Sequence, residues 1–137
     1  MSMFGGLDVS ASGMNADQTW LTAIGDNIAN ANDTAPTSST VFPVEEVMVA
    51  PASTTAGPNQ LPDGVVVTQV VGANPLGQIE YDPSNPQADS KGDVRTTSVD
   101  LGGQMVDMIQ AQSSYQSNVS AFSQARDAYA STLKMSD

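Results

Sequence analysis

LGGQMVDMIQAQSSYQSNVSAFSQARDAYASTL, residues 101–133, decides the fold. Leu101, Met108, Tyr115, Phe122 and Tyr129 fall at one heptad position, and Met105, Gln112, Val119, Arg126 and Leu133 fall four residues after each. Apolar side chains at this spacing return to one face of an α-helix and form a coiled-coil seam. Gln112 and Arg126 are polar seam positions, which weaken pairing but disfavour slipped registers. The start is marked too. Thr97 or Ser98 can cap the first exposed amides, and Thr97 with Asp100 has capping-box spacing that also places a carboxylate at the positive end of the helix. At about 1.5 Å per residue the helix runs for about 55 Å, so part of its seam must face the N-terminal helix or another subunit.

The partner helix is legible at the other end of the chain. Leu7, Met14, Leu21 and Ile28 recur every seven residues, with Phe4, Ala11 and Ile24 filling the same face. Gly13 and Gly25 lie inside this helix, each costing about 1 kcal/mol relative to Ala. Its opposite face is Asp, Asn, Ser and Thr, so alone it is marginal. Between the ends the composition turns to Pro, Thr, Ser, Gly and Asn, with seven of the eight prolines between Pro36 and Pro83 and the last at Pro86. Val41 to Val49 and Val65 to Val71 read as strands able to pair as a hairpin, the second after a Pro62-Asp63-Gly64 turn signal. Residues 50 to 61 read as a polar loop and Gln78 to Tyr81 as a third short strand. The expected fold is mainly α with a small irregular β region: an N-terminal axial helix over 1–34, a Pro-rich β-containing middle over 35–96 and a C-terminal axial helix over 97–137. The two helices pair as a coiled coil to form one inner domain.

Composition narrows the function. The 137 residues carry a formal charge of −11, and the four bases, Lys91, Arg95, Arg126 and Lys134, all follow residue 90. Nucleic acid and anionic membrane surfaces need clustered Lys and Arg, so neither is an expected partner. Cysteine and histidine are absent, which removes disulfides, thiol catalysis and imidazole chemistry. The first fifteen residues hold no basic n-region and no continuous apolar core, and no run approaches the roughly 20 apolar residues of a membrane span. Neither a cleaved signal peptide nor direct membrane insertion is expected.

Catalysis would have to rest on carboxylates. Asp82, Asp89, Asp93 and Asp100 form the one candidate cluster, and Pro83, Pro86 and Gly92 between them point instead to turns in which Asp accepts nearby backbone amides. A calcium loop counted from Asp82 fails, with Pro86 fifth, Gln87 sixth and Asp93 twelfth. No cofactor, metal or catalytic residue is expected. Trp20 beside the helical stripe reads as a core-edge packing residue, and Met105 and Met108 as core.

Three stretches carry a resemblance. Asn27-Ile28-Ala29-Asn30-Ala31-Asn32 resembles the Asn-hydrophobic-Ala-Asn signature of flagellar rod and hook proteins. Tyr81-Asp82-Pro83-Ser84-Asn85-Pro86-Gln87-Ala88-Asp89, followed by Gly92, Val94, Val99 and Asp100, is similar to a segment characteristic of the FlgC-type flagellar proximal-rod family. Met105 to Asn118, including Tyr115, Gln116 and Asn118, resembles the C-terminal helix signature of flagellar axial proteins. The chain departs from the family at Gln104, where Glu is usual, and at Asp107, Ser113 and Ser117, where Asn, Arg and Ala are usual. No ion pair can form from Ser113. The Gly-Phe strand opening of the longer distal-rod and hook proteins is missing after Asn32, which favours the proximal rod.

The resemblance implies a structural subunit, exported unfolded or partly folded by the flagellar type III apparatus. It implies assembly with other rod proteins and with copies of itself into a helical tube spanning the periplasm or cell-wall space, through terminal helices that order when neighbours supply their missing contacts. A small secreted helical-hairpin adaptor or effector of another secretion system is the alternative. Such proteins place Trp-x-Gly in the turn, whereas Trp20 precedes Leu21 and Thr22 and a Pro-rich insert separates the helices here.

Overall fold

The protein is described from a computed structural model, over residues 3–52 and 64–135. Two long helices occupy its ends, α1 over Met3–Ala29 and α2 over Leu101–Lys134. They pack together through side chains from both, as Asn118 on α2 bonds Asp17 on α1 and Gln104 on α2 accepts from Asn27 on α1. Most of the expected loop from residue 50 to 61, the Pro62-Asp63 turn and the side chain of Phe4 lie outside the described residues.

Both helix boundaries have a polar cause. α1 was expected to reach residue 34 and stops at Ala29, because Asn30 folds its side-chain amide onto the Asp26 carbonyl at 2.8 Å and Ala31 N–H closes a tighter turn on Ile28. At the start of α2 the cap is Asp100 rather than Thr97 or Ser98. Asp100 Oδ1 accepts the Gly102 N–H at 3.0 Å, and its carbonyl accepts that of Gln104 at 2.9 Å. Thr97 is committed elsewhere: it is buried, with its N–H on Asp33 O and its hydroxyl on Phe42 O. Ser98 Oγ accepts from Asn74 Nδ2.

Five strands lie between the helices: β1 over Thr34–Ala35, β2 over Val44–Pro51, β3 over Val65–Ala73, β4 over Gln78–Tyr81 and β5 over Asp93–Thr96. β2 and β3, the two valine-rich runs, pair as a two-stranded sheet. β1, β5 and β4 form a second, antiparallel sheet in that order, with Thr34 and Gln78 on either side of Thr96 and Ala35 and Ile79 on either side of Arg95. The expected strand at Val41 begins only at Val44. Val41 is buried outside the ladder, and its N–H is satisfied by the Pro75 carbonyl.

Contacts divide the chain into two compact units. One contains α1 through Leu21, Met48–Gln69 and the chain from Ile109 onward. Here Gly13 lets the helices approach closely, since a Cβ at that position would lie 2.7 Å from Asn118 Nδ2, the group that donates to Asp17 Oδ2 at 2.8 Å. The glycine that weakens the isolated helix is the space in which Asn118 sits. Ser12 Oγ accepts the Val65 N–H at 3.1 Å and so ties β3 to α1. At Gly64 (φ +112°) a Cβ would meet that same hydroxyl at 2.1 Å.

The other unit contains Thr22–Val47 and Val70–Met108. Its core is Ala23, Ile24, Ala35, Val41 and Val94, with one fully buried amide, Asn27, only 1% exposed. Asn27 Oδ1 accepts the Glu45 N–H at 2.7 Å, and Nδ2 donates to the Glu45 carbonyl at 2.9 Å and to Gln104 Oε1 at 3.0 Å. One carboxamide therefore holds the backbone of β2 and the first turns of α2 against α1. The β4–β5 connection closes on its own acids. Asp82 Oδ1 accepts from the amide and hydroxyl of Ser84, and Asp89 Oδ1 accepts the amides of Lys91 and Asp93.

Replacing Asn27 with Asp keeps the acceptor for Glu45 N–H but sets oxygen against the Glu45 carbonyl and Gln104 Oε1. The expected loss is about 2 kcal/mol, read from urea denaturation followed by circular dichroism; an unchanged midpoint refutes the clamp. Hydrogen bonds hold the Asp82 carboxyl, chiefly through the Ser84 hydroxyl, and the Asp89 carboxyl, chiefly through the Asp93 amide, below the usual Asp value. A lowered folded value means that the stabilisation is complete above the unfolded Asp value of about 3.9 and is lost as pH falls through the lowered values. Protection of the Lys91 and Asp93 amides from hydrogen exchange is therefore expected to hold from neutral pH to about 4, to decline below that, and to be lost at all pH values in Asp89→Ala.

Candidate assembly interface

A helix in a globular core buries a stripe along its whole length. α2 does not: over its 34 residues the single buried residue is Ala111, fully enclosed at 0% exposure. Around it Gln104, Met108, Asn118, Phe122, Ala125 and Tyr129 are half-buried. These are spaced three and four apart and define the face turned inward. Met108, Phe122 and Tyr129 lie on that face, whereas Leu101 and Tyr115, at the same heptad position, are exposed at its margin.

Its companion position differs from expectation. The inward residues stand three after Leu101, Met108, Tyr115 and Phe122, at Gln104, Ala111, Asn118 and Ala125, whereas Met105, Val119 and Leu133, four after members of the set, are exposed. Polar contact is the reason. Gly13 leaves the space that Asn118 fills, and Gln104 meets Asn27, so the polar residues of this row take the inward places beside Met105 and Val119.

α1 distributes its apolar side chains similarly. Ile24 is buried, and Leu7, Met14, Leu21, Ile28 and Trp20 are half-buried. On α2, Leu101, Met105, Val106 and Ile109 recur at the i, i+4, i+5, i+8 spacing of one helix face, and all are exposed, Met105 at 58% and Ile109 at 69%. Apolar groups this dense on one side of a helix mark a surface suited to a neighbouring protein.

The residues that carried the resemblance fall into three places. Asn27 is the buried clamp and Asn30 closes α1, while Ala29 between them is exposed. Around the β4–β5 connection, Gly92 adopts φ +86° under the ring of Tyr81, with Pro83 beside it. Asp82 and Asp89 accept loop amides, Ala88 N–H bonds Asn85 O, and Pro86 is exposed. On the approach to and along α2, Val99 is half-buried, Asp100 is the cap, Asn118 bonds Asp17 and Gln116 is exposed. Gln104, Gly13 and Asp17 also position the helices, and Ser12 ties β3 to α1. Heptad reading passed over them because each is small or polar; the signal for Gly13 was its cost in an otherwise regular helix.

Among the described residues no group of three or more acids could hold a metal ion, and the one ion pair is Arg126 with its neighbour Asp127 at 3.0 Å. No helix among them is long and apolar enough to cross a membrane.

Comparison with known proteins meets this geometry at both helices. Residues 7–35 match the family described as flagella basal body rod protein, and residues 91–135 match the C-terminal region of the flagellar basal body rod FlgEFG proteins. The flagellar basal-body rod protein FlgC of Yersinia enterocolitica is 31% identical over 135 residues, covering 98% of each chain. That of Aquifex aeolicus is 33% identical over 138 residues, covering 98% of this chain and 97% of its own. That of Agrobacterium fabrum is 32% identical, covering 93% and 90%. With matches running the full length of the sequence and paired terminal helices around a small β region, the chain belongs to the FlgC family of flagellar basal-body rod proteins, which are structural subunits and not enzymes.

Proposed function

We propose that this chain forms part of the proximal rod by burying the open faces of its terminal helices against neighbouring subunits. Those neighbours are copies of itself and other rod proteins in one helical assembly. The observation that carries this reading is that α2, 34 residues long, encloses one residue. Leu101, Met105, Tyr115, Val119 and Leu133 remain exposed, as do Val106 and Ile109. Burying a large apolar side chain contributes about 1.5–3 kcal/mol, so these groups hold much of the free energy that would order a subunit on arrival. Heterologous contacts repeated along a helical path generate a tube, which here would serve as a drive shaft.

Export by the flagellar type III apparatus, without a cleaved signal peptide, fits a chain whose helices are completed by partners. Such a chain can travel unfolded or partly folded and gain its order in the periplasm or cell-wall space.

Ile109→Asp tests the reading. The position is exposed, so the free chain is expected to keep its fold and expression level. A carboxylate forced into an inter-subunit contact is expected to lower incorporation into isolated basal bodies by about a hundredfold and to abolish swimming. Normal motility of this variant, or a complete rod in cells lacking the chain, would falsify the proposal.

A further inference from the structure

Sheet order puts β1 and β4 at the two edges, and β4 is the longer of them, with no further strand paired to it among the described residues. β4 is the outer strand of β1-β5-β4, paired with β5 on one side, and all four of its side chains are exposed. Ile79 and Tyr81 stand two apart and therefore point to one face, where they are 53% and 70% exposed, with Leu76 just before the strand at 57%. Protein edges of this kind are usually blocked by Lys, Pro or a bulge. Gln78-Ile79-Glu80-Tyr81 has no Lys, Pro or bulge; it is guarded by its four-residue length and by the charge of Glu80, which repels acidic or apolar strands and admits a basic one.

The edge is also held in shape before anything binds. Gly77 N–H bonds Asn74 O at 3.0 Å to fix the turn ahead of β4, the Arg95 guanidinium is fastened to the carbonyls of Leu76 and Thr37, and Asp82 N–H bonds Gly92 O at 2.9 Å behind it. The receiving strand therefore adds little ordering cost of its own when a segment docks.

Charge identifies the occupant. Glu80 lies on the exposed strand and Asp82 follows it, while the nearest base across the ladder, Arg95, is spent on backbone carbonyls. The complement is an extended segment with alternating apolar side chains and at least one Lys or Arg. A second copy cannot supply it. Residues 1 to 90 contain no base, Lys91 lies in the closed β4–β5 connection, Arg95 is in the central strand, and Arg126 and Lys134 are in α2.

We propose that the free edge of β4 docks an extended basic segment of a different rod subunit, which adds to the sheet as a fourth strand. This rests on the assembly reading above and names the partner chemistry of one further surface.

The absence of cysteine makes the test direct. The full chain carrying Ile79→Cys, or in parallel Tyr81→Cys on the same face, replaces the native chain in cells, and its maleimide labelling is compared between the purified chain and isolated basal bodies. Labelling is expected to fall about tenfold in the rod, and a thiol-to-amine cross-linker is expected to join the cysteine to a lysine of a chain of different mass. Adding Glu80→Arg is expected to lower cross-linking per incorporated chain about tenfold. Unchanged labelling on assembly, a cross-linked product containing only this chain, or indifference to Glu80→Arg would each overturn the proposal. Met105→Cys on α2 separates the two readings. Protection at 105 with full labelling at 79 rejects the edge site and keeps the assembly, whereas full labelling at 105 rejects the assembly itself.

Discussion

The carboxamide of Asn27 is the constraint on which the packing of the second unit depends. A buried amide has two donor hydrogens and two acceptor sites, and leaving them unmade costs more than making them gains. Asn27 spends its oxygen on the Glu45 amide and its nitrogen on the Glu45 carbonyl and Gln104. A β-strand that would otherwise pass the helix at variable height is fixed at one residue, and α2 is fixed at its first turn. Gln104 supplies the oxygen that Asn27 Nδ2 requires without placing a charge in the buried contact.

Polar fixation of this sort has a consequence for the rest of the molecule. Where helices are set by hydrogen bonds and by small residues such as Gly13 and Ala111, they meet with little apolar burial. Register is then well specified while the driving force stays small, since hydrogen bonds exchanged with water contribute about 1 kcal/mol each and burial supplies most of the stability of a helix pair. The large side chains, Met105, Val106, Ile109 and Leu133, are left outside. A chain built this way has its geometry written internally and leaves its free energy of ordering to neighbours, as the proposed assembly requires.

The helices were legible because their apolar periodicity survives any packing detail, and β2 and β3 were legible because β-branched residues cluster in them, with a turn signal ahead of the second. Two features were not. β1 and β5 are Thr-Ala and Asp-Val-Arg-Thr, too short and too polar for a periodic signal; they are strands because Val94 is buried and Ala35 and Ile79 flank Arg95 across the ladder. The inward face of α2 was read one residue off on its second row. A hydrophobicity count ranks Met105 and Val119 above Gln104 and Asn118, but the amides of Asn27 and the carboxylate of Asp17 need polar partners opposite them, and these pull the helix round. Capping misled for a related reason, as Thr97 had the right chemistry and was already taken by Asp33 and Phe42.

Net charge poses the remaining difficulty, because subunits at −11 repel one another when packed closely. The sequence of α2 limits this. From Met108 to Ala125 it contains no charged residue, and the hydroxyls of Ser117 and Ser120 turn back to the carbonyls of Ser113 and Gln116 at 2.8 and 2.9 Å. A hydroxyl satisfied within its own helix strands no donor when a neighbour covers it, and its small size lets that neighbour come near. This central stretch of α2 can thus be buried against a like-charged subunit at low electrostatic cost. Outside α1, which carries Asp8, Asp17 and Asp26, the described acids lie in the β-containing middle, where Asp82 and Asp89 accept loop amides, and towards the ends of α2, where Asp100 caps one terminus and Asp127 meets Arg126 near the other. On the proposed assembly, copies approach one another through the uncharged helix face, and the acidic sheet edge is left for a partner of opposite sign.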